Sequence, residues 1–192
     1  MTELPVYQIK ITLADTHPPI WRRLLVTGDT PLDELHAILQ LVMGWDDYHL
    51  HQFIVGETYY GEPHPEFDDY MEVKDESKVV LGQIVSQEGD QFGYEYDFGD
   101  SWLHIIQVEE VLEPDPELVY PLCIGGKRAG PPEDVGGVWG YAEFLEAIKD
   151  RNHPEHAEYM EWVGGGFDPE AFDPDEINDQ LDLLYDMDDL LE

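Results

Sequence analysis

Residues 92–104 read FGYEYDFGDSWLH, and this stretch decides the fold. Aromatic side chains at positions 92, 94, 96 and 98 alternate with Gly93, Glu95 and Asp97, which is the two-residue period of a half-buried strand. The dipeptide Gly99-Asp100 is typical of the tight turn of a β-hairpin, so a second strand should return directly after it. The stretch therefore predicts a hairpin with aromatic residues on one face and carboxylates on the other.

The sequence on both sides of the hairpin predicts an α+β fold. Val6–Leu13 and Ile20–Val26 alternate like strands and should pair antiparallel. A helix should begin with Thr30 as N-cap and Pro31 at its first position, and end near Gly44. The other predicted elements are a strand over His49–Val55, an acidic loop over Pro63–Asp75, a helical turn within Val79–Val85, the hairpin over Gln91–Glu109, an irregular loop over Tyr120–Tyr141, and helices over Tyr141–Lys149, Pro154–Val163 and Pro174–Tyr185. We thus expect a mainly antiparallel sheet with one helix in the N-terminal half and several C-terminal helices packed on it.

The whole chain, residues 1–192, is expected to form a single domain. It contains neither solenoid repeats nor a Gly/Ser-rich linker, and an acidic helical part is predicted from about residue 141 onward. No apolar run reaches the roughly 18 to 20 residues of a membrane span, and no secretory leader pattern is present. Cys123 is the only cysteine, which excludes an intramolecular disulfide and agrees with a reducing compartment. We expect a cytoplasmic protein without a membrane-bound part.

Charge restricts the class of partner. The chain has 44 acidic and 9 basic residues, a formal net charge of −35. Such a surface repels phosphate groups, which disfavours direct nucleic-acid binding, and attracts a basic protein partner. Because the acidic residues are spread along the whole chain, they favour a solvated face or adaptation to high salt over the further alternative, mimicry of nucleic acid.

The register of the hairpin determines whether its polar face could be a site. A two-residue loop at Gly99-Asp100 places Glu95 opposite His104, which brings a carboxylate to an imidazole and is typical of acid–base pairs and metal ligands. A three-residue loop instead places Tyr96 opposite His104. The Gly-Asp dipeptide favours the first register.

Further polar residues could join this face. His49 and His51 are two residues apart on a predicted strand and so point to the same side, although their apolar neighbours agree equally with histidines satisfied by hydrogen bonds near a sheet edge. If that strand lies beside the hairpin, the side chains converge on a site suited to a divalent metal and an activated water. The candidate polar cluster consists of His49, His51, Glu95, Asp97, Asp100 and His104, with His49, His51 and His104 as the metal ligands.

A second candidate site lies in the Gly- and Pro-rich loop, because long ordered loops are often functional. Its candidate residues are Arg128, Glu133, Asp134 and Trp139. The chain lacks a phosphate-binding P-loop, a dinucleotide-binding glycine fingerprint and a serine-hydrolase elbow. Since no complete catalytic set is visible, a protein that is not an enzyme is favoured.

Several motifs, in order along the chain, resemble those of one family. They are PPIWRR at 18–23, LDELH at 32–36, MGWDD at 43–47, HLHQF at 49–53, the segment 94–102, GPPED at 130–134, GGVWGY at 136–141, HPEH at 153–156 and FDPEAF at 167–172. These motifs are similar to those of the plasmid pRiA4b ORF-3-like family. The resemblance implies an α+β domain of bacteria and archaea, also found as a passenger of insertion sequences under a resolvase-like label, and it implies no established activity.

The charge of this chain argues against that label. A serine recombinase surrounds its nucleophile with arginines that neutralise phosphate, whereas this protein has four arginines and a net charge of −35. The leading hypothesis is therefore a cytoplasmic interaction module with a link to mobile elements. The alternatives are a metal-binding or metal-dependent hydrolase-like protein that uses the polar cluster, and an acidic nucleic-acid mimic.

Overall fold

The computed structural model describes residues 4–63 and 72–188, with side chains through Tyr185. Eight strands and five α-helices are present in these ranges, together with one 3-10 turn at Glu76–Lys78. The strands are β1 Val6–Leu13, β2 Trp21–Thr27, β3 His51–Val55, β4 Thr58–Gly61, β5 Val73–Asp75, β6 Gln91–Tyr96, β7 Trp102–Leu112 and β8 Leu122–Lys127. The helices are α1 Leu32–Met43, α2 Leu81–Ile84, α3 Gly137–Lys149, α4 His156–Trp162 and α5 Pro174–Asp188.

All eight described strands form one sheet in the order β5-β4-β3-β6-β7-β1-β2-β8. Every neighbouring pair is antiparallel except β4 and β5, which are parallel. The predicted pairing of the first two strands and the predicted α+β class are confirmed. Because β3 lies next to β6, the loop before β3 and the tip of the β6–β7 hairpin meet at the same end of the sheet.

The core lies on one face of the sheet, where alternate residues of β1, β6 and β7 are buried against the helices. Helix α1 contributes Leu32, Leu35, Ile38 and Leu39, all with no exposed surface. Burial of each of these side chains stabilises the fold by about 1.5 to 3 kcal/mol relative to exposure. The helix ends at Gly44, whose φ of 79° favours glycine. The chain therefore leaves α1 at Gly44 and enters the loop that contains His49 and leads to β3.

Some boundaries differ from the sequence-based expectation. Pro31 is the N-cap of α1, and the Thr30 hydroxyl instead lies 3.1 Å from that of Thr27. The loop predicted over Tyr120–Tyr141 contains edge strand β8, whose Cys123 backbone is held at both its N–H and its C=O by the side chain of Asn178. A short strand with few apolar residues gives no clear alternation, which is why the pattern did not indicate it.

The acidic loop predicted over Pro63–Asp75 ends in β5, and its residues 64–71 lie outside the described residues. Among the described residues, no helix has the length and apolar character needed to cross a membrane.

Candidate metal centre

The hairpin loop is longer than either register considered from the sequence. Five residues, 97–101, connect the strands, and Tyr94 lies opposite His104 while Glu95 lies opposite Leu103. The Asp97 carboxylate holds this loop by accepting hydrogen bonds from the backbone N–H groups of Gly99 and Asp100. Asp97 and Ser101 both adopt positive φ. Both predicted loop lengths, and the pairing of Glu95 with His104, are therefore wrong.

His104 and Glu95 lie on opposite faces of the sheet. His104 is fully buried in the core against the ring of Trp45, and its Nδ1–H donates to the carbonyl oxygen of Tyr94. Burial lowers the pKa of His104 to about 4, so the ring is neutral near pH 7. Glu95 accepts hydrogen bonds from Gln52 and Ser101 on the other face. The predicted convergence of these two residues with His49 and His51 does not occur.

A compact group of metal-ligand types forms around His49 instead. Its Nε2 lies 2.7 Å from Asp134 Oδ1, 3.6 Å from Asp97 Oδ2 and 3.9 Å from Glu133 Oε2. This nitrogen is buried and makes no hydrogen bond to any of the described residues. One ligand atom each from His49, Asp97 and Asp134 can be placed within 4.8 Å of the others. The structure thus joins two members of the predicted polar cluster with two members of the predicted loop site.

Three separate loops supply these side chains. His49 lies between α1 and β3, Asp97 at the hairpin tip, and Asp134 between β8 and α3. The tip and the third loop pack closely, because the Gly136 N–H donates to the Asp100 carboxylate. A Cβ on Gly137 would come within 2.6 Å of the Asp100 carbonyl oxygen. The role of Asp100 is therefore to hold the two loops together, outside the ligand group.

Backbone conformation is unusual at the site. Asp47, Asp97 and Asp134 have φ values of 55°, 59° and 59°. Asp is one of the few residues with a side chain that tolerates this region, which costs most others about 1 to 2 kcal/mol. Outliers of this kind concentrate at functional sites.

Glu133 is held in place beside the His49 group. The Tyr96 hydroxyl donates to its carboxylate at 3.0 Å, and the backbone N–H of Asp46 donates to the same oxygen at 3.0 Å. The Tyr96 oxygen in turn accepts from the N–H of Tyr48. Burial and the neighbouring carboxylate raise the pKa of Tyr96, which keeps its proton in this bond. The Glu133 carboxylate is thus fixed in orientation with Oε2 toward His49.

A second histidine group lies in the same region. The rings of His36 and His51 stack with centroids 3.4 Å apart and planes within 5° of parallel. His36 Nε2 lies 2.9 Å from Asp47 Oδ1, and His51 Nε2 lies 2.9 Å from both carboxylate oxygens of Glu76. His36, Asp47 and His51 also have ligand atoms within 4.8 Å of one another. The predicted pairing of His49 with His51 is therefore replaced by two groups with different partners.

A closed ring of hydrogen bonds determines the tautomer of His36. The Asp47 N–H donates to Gln40 Oε1, so the Gln40 amide nitrogen must be the atom that donates to the Tyr94 hydroxyl. The Tyr94 O–H then donates to His36 Nδ1, which leaves the ring hydrogen on Nε2, where it reaches Asp47. Burial, followed by the nearby His51, lowers the pKa of His36 to about 4. Both nitrogens of a neutral His36 are occupied, so this group is a poorer metal site than that of His49.

Both histidine groups border one open cleft of about 960 Å³. The described residues that line it are Asp33, His36, Asp47, Tyr48, His49, Leu50, His51, Gln52, Gly61, Glu62, Pro63, Val73, Asp75, Glu76, Ser77 and Phe98. A ligand in this cleft would have direct access to the neighbourhood of His49.

Arg128 and Trp139 take no part in the site. Arg128 is buried, with its guanidinium 2.9 Å from Glu170 and bonded to the Pro18 carbonyl. Trp139 is 86% exposed on the first turn of α3.

Sequence reasoning missed His36, Asp47 and Glu76. One signal was available, because His36 and Gln40 lie four residues apart beside the apolar stripe of a buried helix, where polar side chains need partners.

Known proteins resemble this chain over nearly its whole length. Residues 5–176 match the family described as Plasmid pRiA4b ORF-3-like protein. The uncharacterized protein y4hQ of Sinorhizobium fredii is 38% identical over 181 residues, which cover 93% of this chain and 92% of that protein. A crystal structure of a protein of unknown function, MM3350 from Methanosarcina mazei Go1, has a TM-score of 0.82 and 38% identity, covering 91% of this chain and 98% of that one. The motifs, the fold and these similarities agree: the chain belongs to the plasmid pRiA4b ORF-3-like family.

Proposed function

We propose that this protein binds a divalent metal ion through His49, Asp97 and Asp134. The observation that carries the proposal is the buried His49 Nε2, which makes no hydrogen bond although carboxylate oxygens lie 2.7 and 3.6 Å away. Two ligands bound at about 2.1 Å to one metal lie at most about 4.2 Å apart, so both distances suit a shared ion. One imidazole with two carboxylates is a donor set suited to zinc, manganese or ferrous iron.

The chemistry that such a site would supply is hydrolysis. A metal lowers the pKa of a bound water, and an adjacent carboxylate can accept its proton. Glu133 is the carboxylate in position, with Oε2 3.9 Å from His49 Nε2 and its orientation fixed by Tyr96. With a metal held by His49, Asp97 and Asp134, Glu133 would accept the proton of the attacking water and pass it to the leaving oxygen or nitrogen of an ester or amide.

Metal binding is tested by elemental analysis and calorimetric titration of the untagged protein with Mn²⁺ and Zn²⁺. We expect one ion per chain, and at least a tenfold weaker affinity in Asp134→Asn and in His49→Gln. Asp29→Asn is the matched control, because Asp29 is exposed and lies outside the site. Equal affinities of the wild type, Asp134→Asn and Asp29→Asn would overturn the proposal.

The water-activating role of Glu133 is tested separately. Glu133→Gln should retain the metal but lose hydrolysis of ester substrates, because the amide cannot accept the proton. Retained hydrolysis in Glu133→Gln would remove Glu133 from the mechanism while leaving the metal site intact.

A second proposed role is binding of a basic protein partner. Trp139 is 86% exposed on α3, and an aromatic residue at this exposure is typical of the centre of an interface. The net charge of −35 would attract a basic surface. Trp139→Ala should abolish capture of such a partner without changing metal affinity.

The single cysteine favours the reducing cytoplasm as the compartment in which we propose that the protein works.

A further inference from the structure

The cleft beside His49 has an acidic wall. Five carboxylate residues line it, and none of its described lining residues is Lys or Arg, although Asp75 pairs with Lys78 at 2.6 Å. The lining carboxylates belong to Asp33, Asp47, Glu62, Asp75 and Glu76. A concave acidic surface on a protein of net charge −35 concentrates cations and repels anions. Phosphate and carboxylate groups are therefore disfavoured as ligands here.

The charge of Asp47 remains uncompensated although this residue contacts a histidine. The hydrogen-bond ring through Gln40 and Tyr94 supplies His36 with a neutral tautomer, so the contact with Asp47 is a hydrogen bond and not an ion pair. Asp33 also acts electrostatically on His36 and lines the same cleft. Two carboxylates near this end of the cleft thus keep their negative charge available to a ligand.

His51 gives an independent indication of a ligand. Its side chain is only 9% exposed, and Nε2 is fully used by Glu76. The other ring nitrogen, Nδ1, makes no hydrogen bond to any described residue. A nine-tenths buried ring on the cleft wall therefore keeps one nitrogen that a ligand in the cleft can contact.

Two exposed aromatic rings complete the lining. Tyr48 is 71% exposed and Phe98 is 50% exposed, and both border the cleft. Aromatic faces attract ammonium and guanidinium groups. Acceptors and ring faces thus favour the same chemistry, a cation that donates several hydrogen bonds.

We infer that the cleft binds the guanidinium or ammonium group of an organic cation, such as an arginine side chain or an amine. The inference names the substrate class of the proposed metal site and so rests on that proposed function for its catalytic meaning. Binding of the cation itself uses Asp47, His51 and Tyr48, which the proposed metal site does not require.

The test compares two probes, Nα-acetyl-arginine amide and Nα-acetyl-citrulline amide. Both have blocked, uncharged termini, and they differ only in that arginine carries a charged guanidinium where citrulline carries a neutral urea group. Titrations followed by NMR, in protein with and without diamagnetic Zn²⁺, should show the arginine probe binding at least tenfold more tightly. Asp47→Asn should remove most of this difference, because the amide still accepts from His36 while the charge is lost. Asp29→Asn should leave it unchanged, and Tyr48→Leu should weaken the arginine probe severalfold.

Equal binding of the two probes, or equal effects of Asp47→Asn and Asp29→Asn, would overturn the inference. Tyr48→Leu keeps the test decisive if Asp47→Asn fails to fold, since the described Tyr48 side chain makes no internal hydrogen bond and only its backbone N–H is used. A protein that discriminates the probes but binds neither Mn²⁺ nor Zn²⁺ would refute the proposed metal site alone. A protein that binds either ion but does not discriminate would refute this inference alone.

Discussion

Acid should destabilise this protein in part through His104, and His104→Leu should remove that part. The ring is fully buried, its Nδ1–H is used by the Tyr94 carbonyl, and Nε2 makes no hydrogen bond to any described residue. A second proton would therefore be placed on a buried nitrogen with no hydrogen-bond partner. Burial accordingly lowers the pKa of His104 to about 4 from the ordinary 6.5.

The size of the effect follows from proton linkage. Between about pH 6.5 and pH 4 the unfolded chain binds one more proton at His104 than the folded chain, so stability falls as pH falls through this window. The loss reaches about 2 kcal/mol between pH 7.5 and pH 5. The neutral ring is the favoured form in the folded state, so this contribution is complete above the unfolded pKa.

Urea unfolding of the wild type and of His104→Leu across this pH range measures the effect. The difference in unfolding free energy between the two proteins should change by about 2 kcal/mol from pH 7.5 to pH 5. His36 is present in both proteins and cancels, as does any change in packing that does not depend on pH. A pH-independent difference would show that His104 accepts its second proton freely in the folded state and would refute the reasoning.

Two further predictions concern stability. Gly140→Ala is a change that normally stabilises a helix interior, but here it should lower the melting temperature, because the added Cβ would lie 2.1 Å from the carbonyl oxygen of Val135. Gly166→Ala is the control, since a Cβ at that position meets open space and should have little effect. Similar melting temperatures of the two variants would contradict the close approach of Gly140 to Val135. Tyr94→Phe should reduce the unfolding free energy by about 2 kcal/mol or more, since it leaves the Gln40 amide and His36 Nδ1 unpaired inside the protein; a loss below about 0.5 kcal/mol in urea unfolding would contradict the closed ring.

Regular elements with strong periodicity could be predicted from the sequence. The alternation in Val6–Leu13 gives β1 with its observed bounds, and the apolar stripe and Gly44 give α1 nearly to the residue. These signals are local, because each depends on residues within one strand or a few helical turns. The family resemblance, confirmed by the comparisons, adds the order of motifs but no activity.

The hairpin register could not be predicted, for a physical reason. The Gly99-Asp100 dipeptide indicates a two-residue turn, but Gly99 does not occupy the positive-φ positions in this loop, which belong to Asp97 and Ser101. The loop is held in this conformation by hydrogen bonds from the backbone N–H groups of Gly99 and Asp100 to the Asp97 carboxylate, which a dipeptide pattern does not indicate. A change in pairing by one residue moved Glu95 and His104 to opposite faces.

The composition of the site depends on contacts between distant segments. His49 and Asp134 are separated by 85 positions, and no local pattern joins them. The sequence placed them in two different candidate sites, each with members that the structure directs elsewhere, such as Arg128 to Glu170. Residue type alone identified four side chains of the site, His49, Asp97, Glu133 and Asp134. That they lie together could be known only from the order of the strands in the sheet.

The positive φ angles of Asp47, Asp97 and Asp134 restrict how these positions can change by mutation. Glutamate would keep the negative charge but bear the backbone cost of about 1 to 2 kcal/mol, while asparagine and glycine fit the backbone and carry no charge. No single replacement satisfies both requirements. A tolerated substitution at one of these positions, to asparagine or glycine, would therefore remove the negative charge in a single step, because the intermediate replacement by glutamate is disfavoured by the backbone.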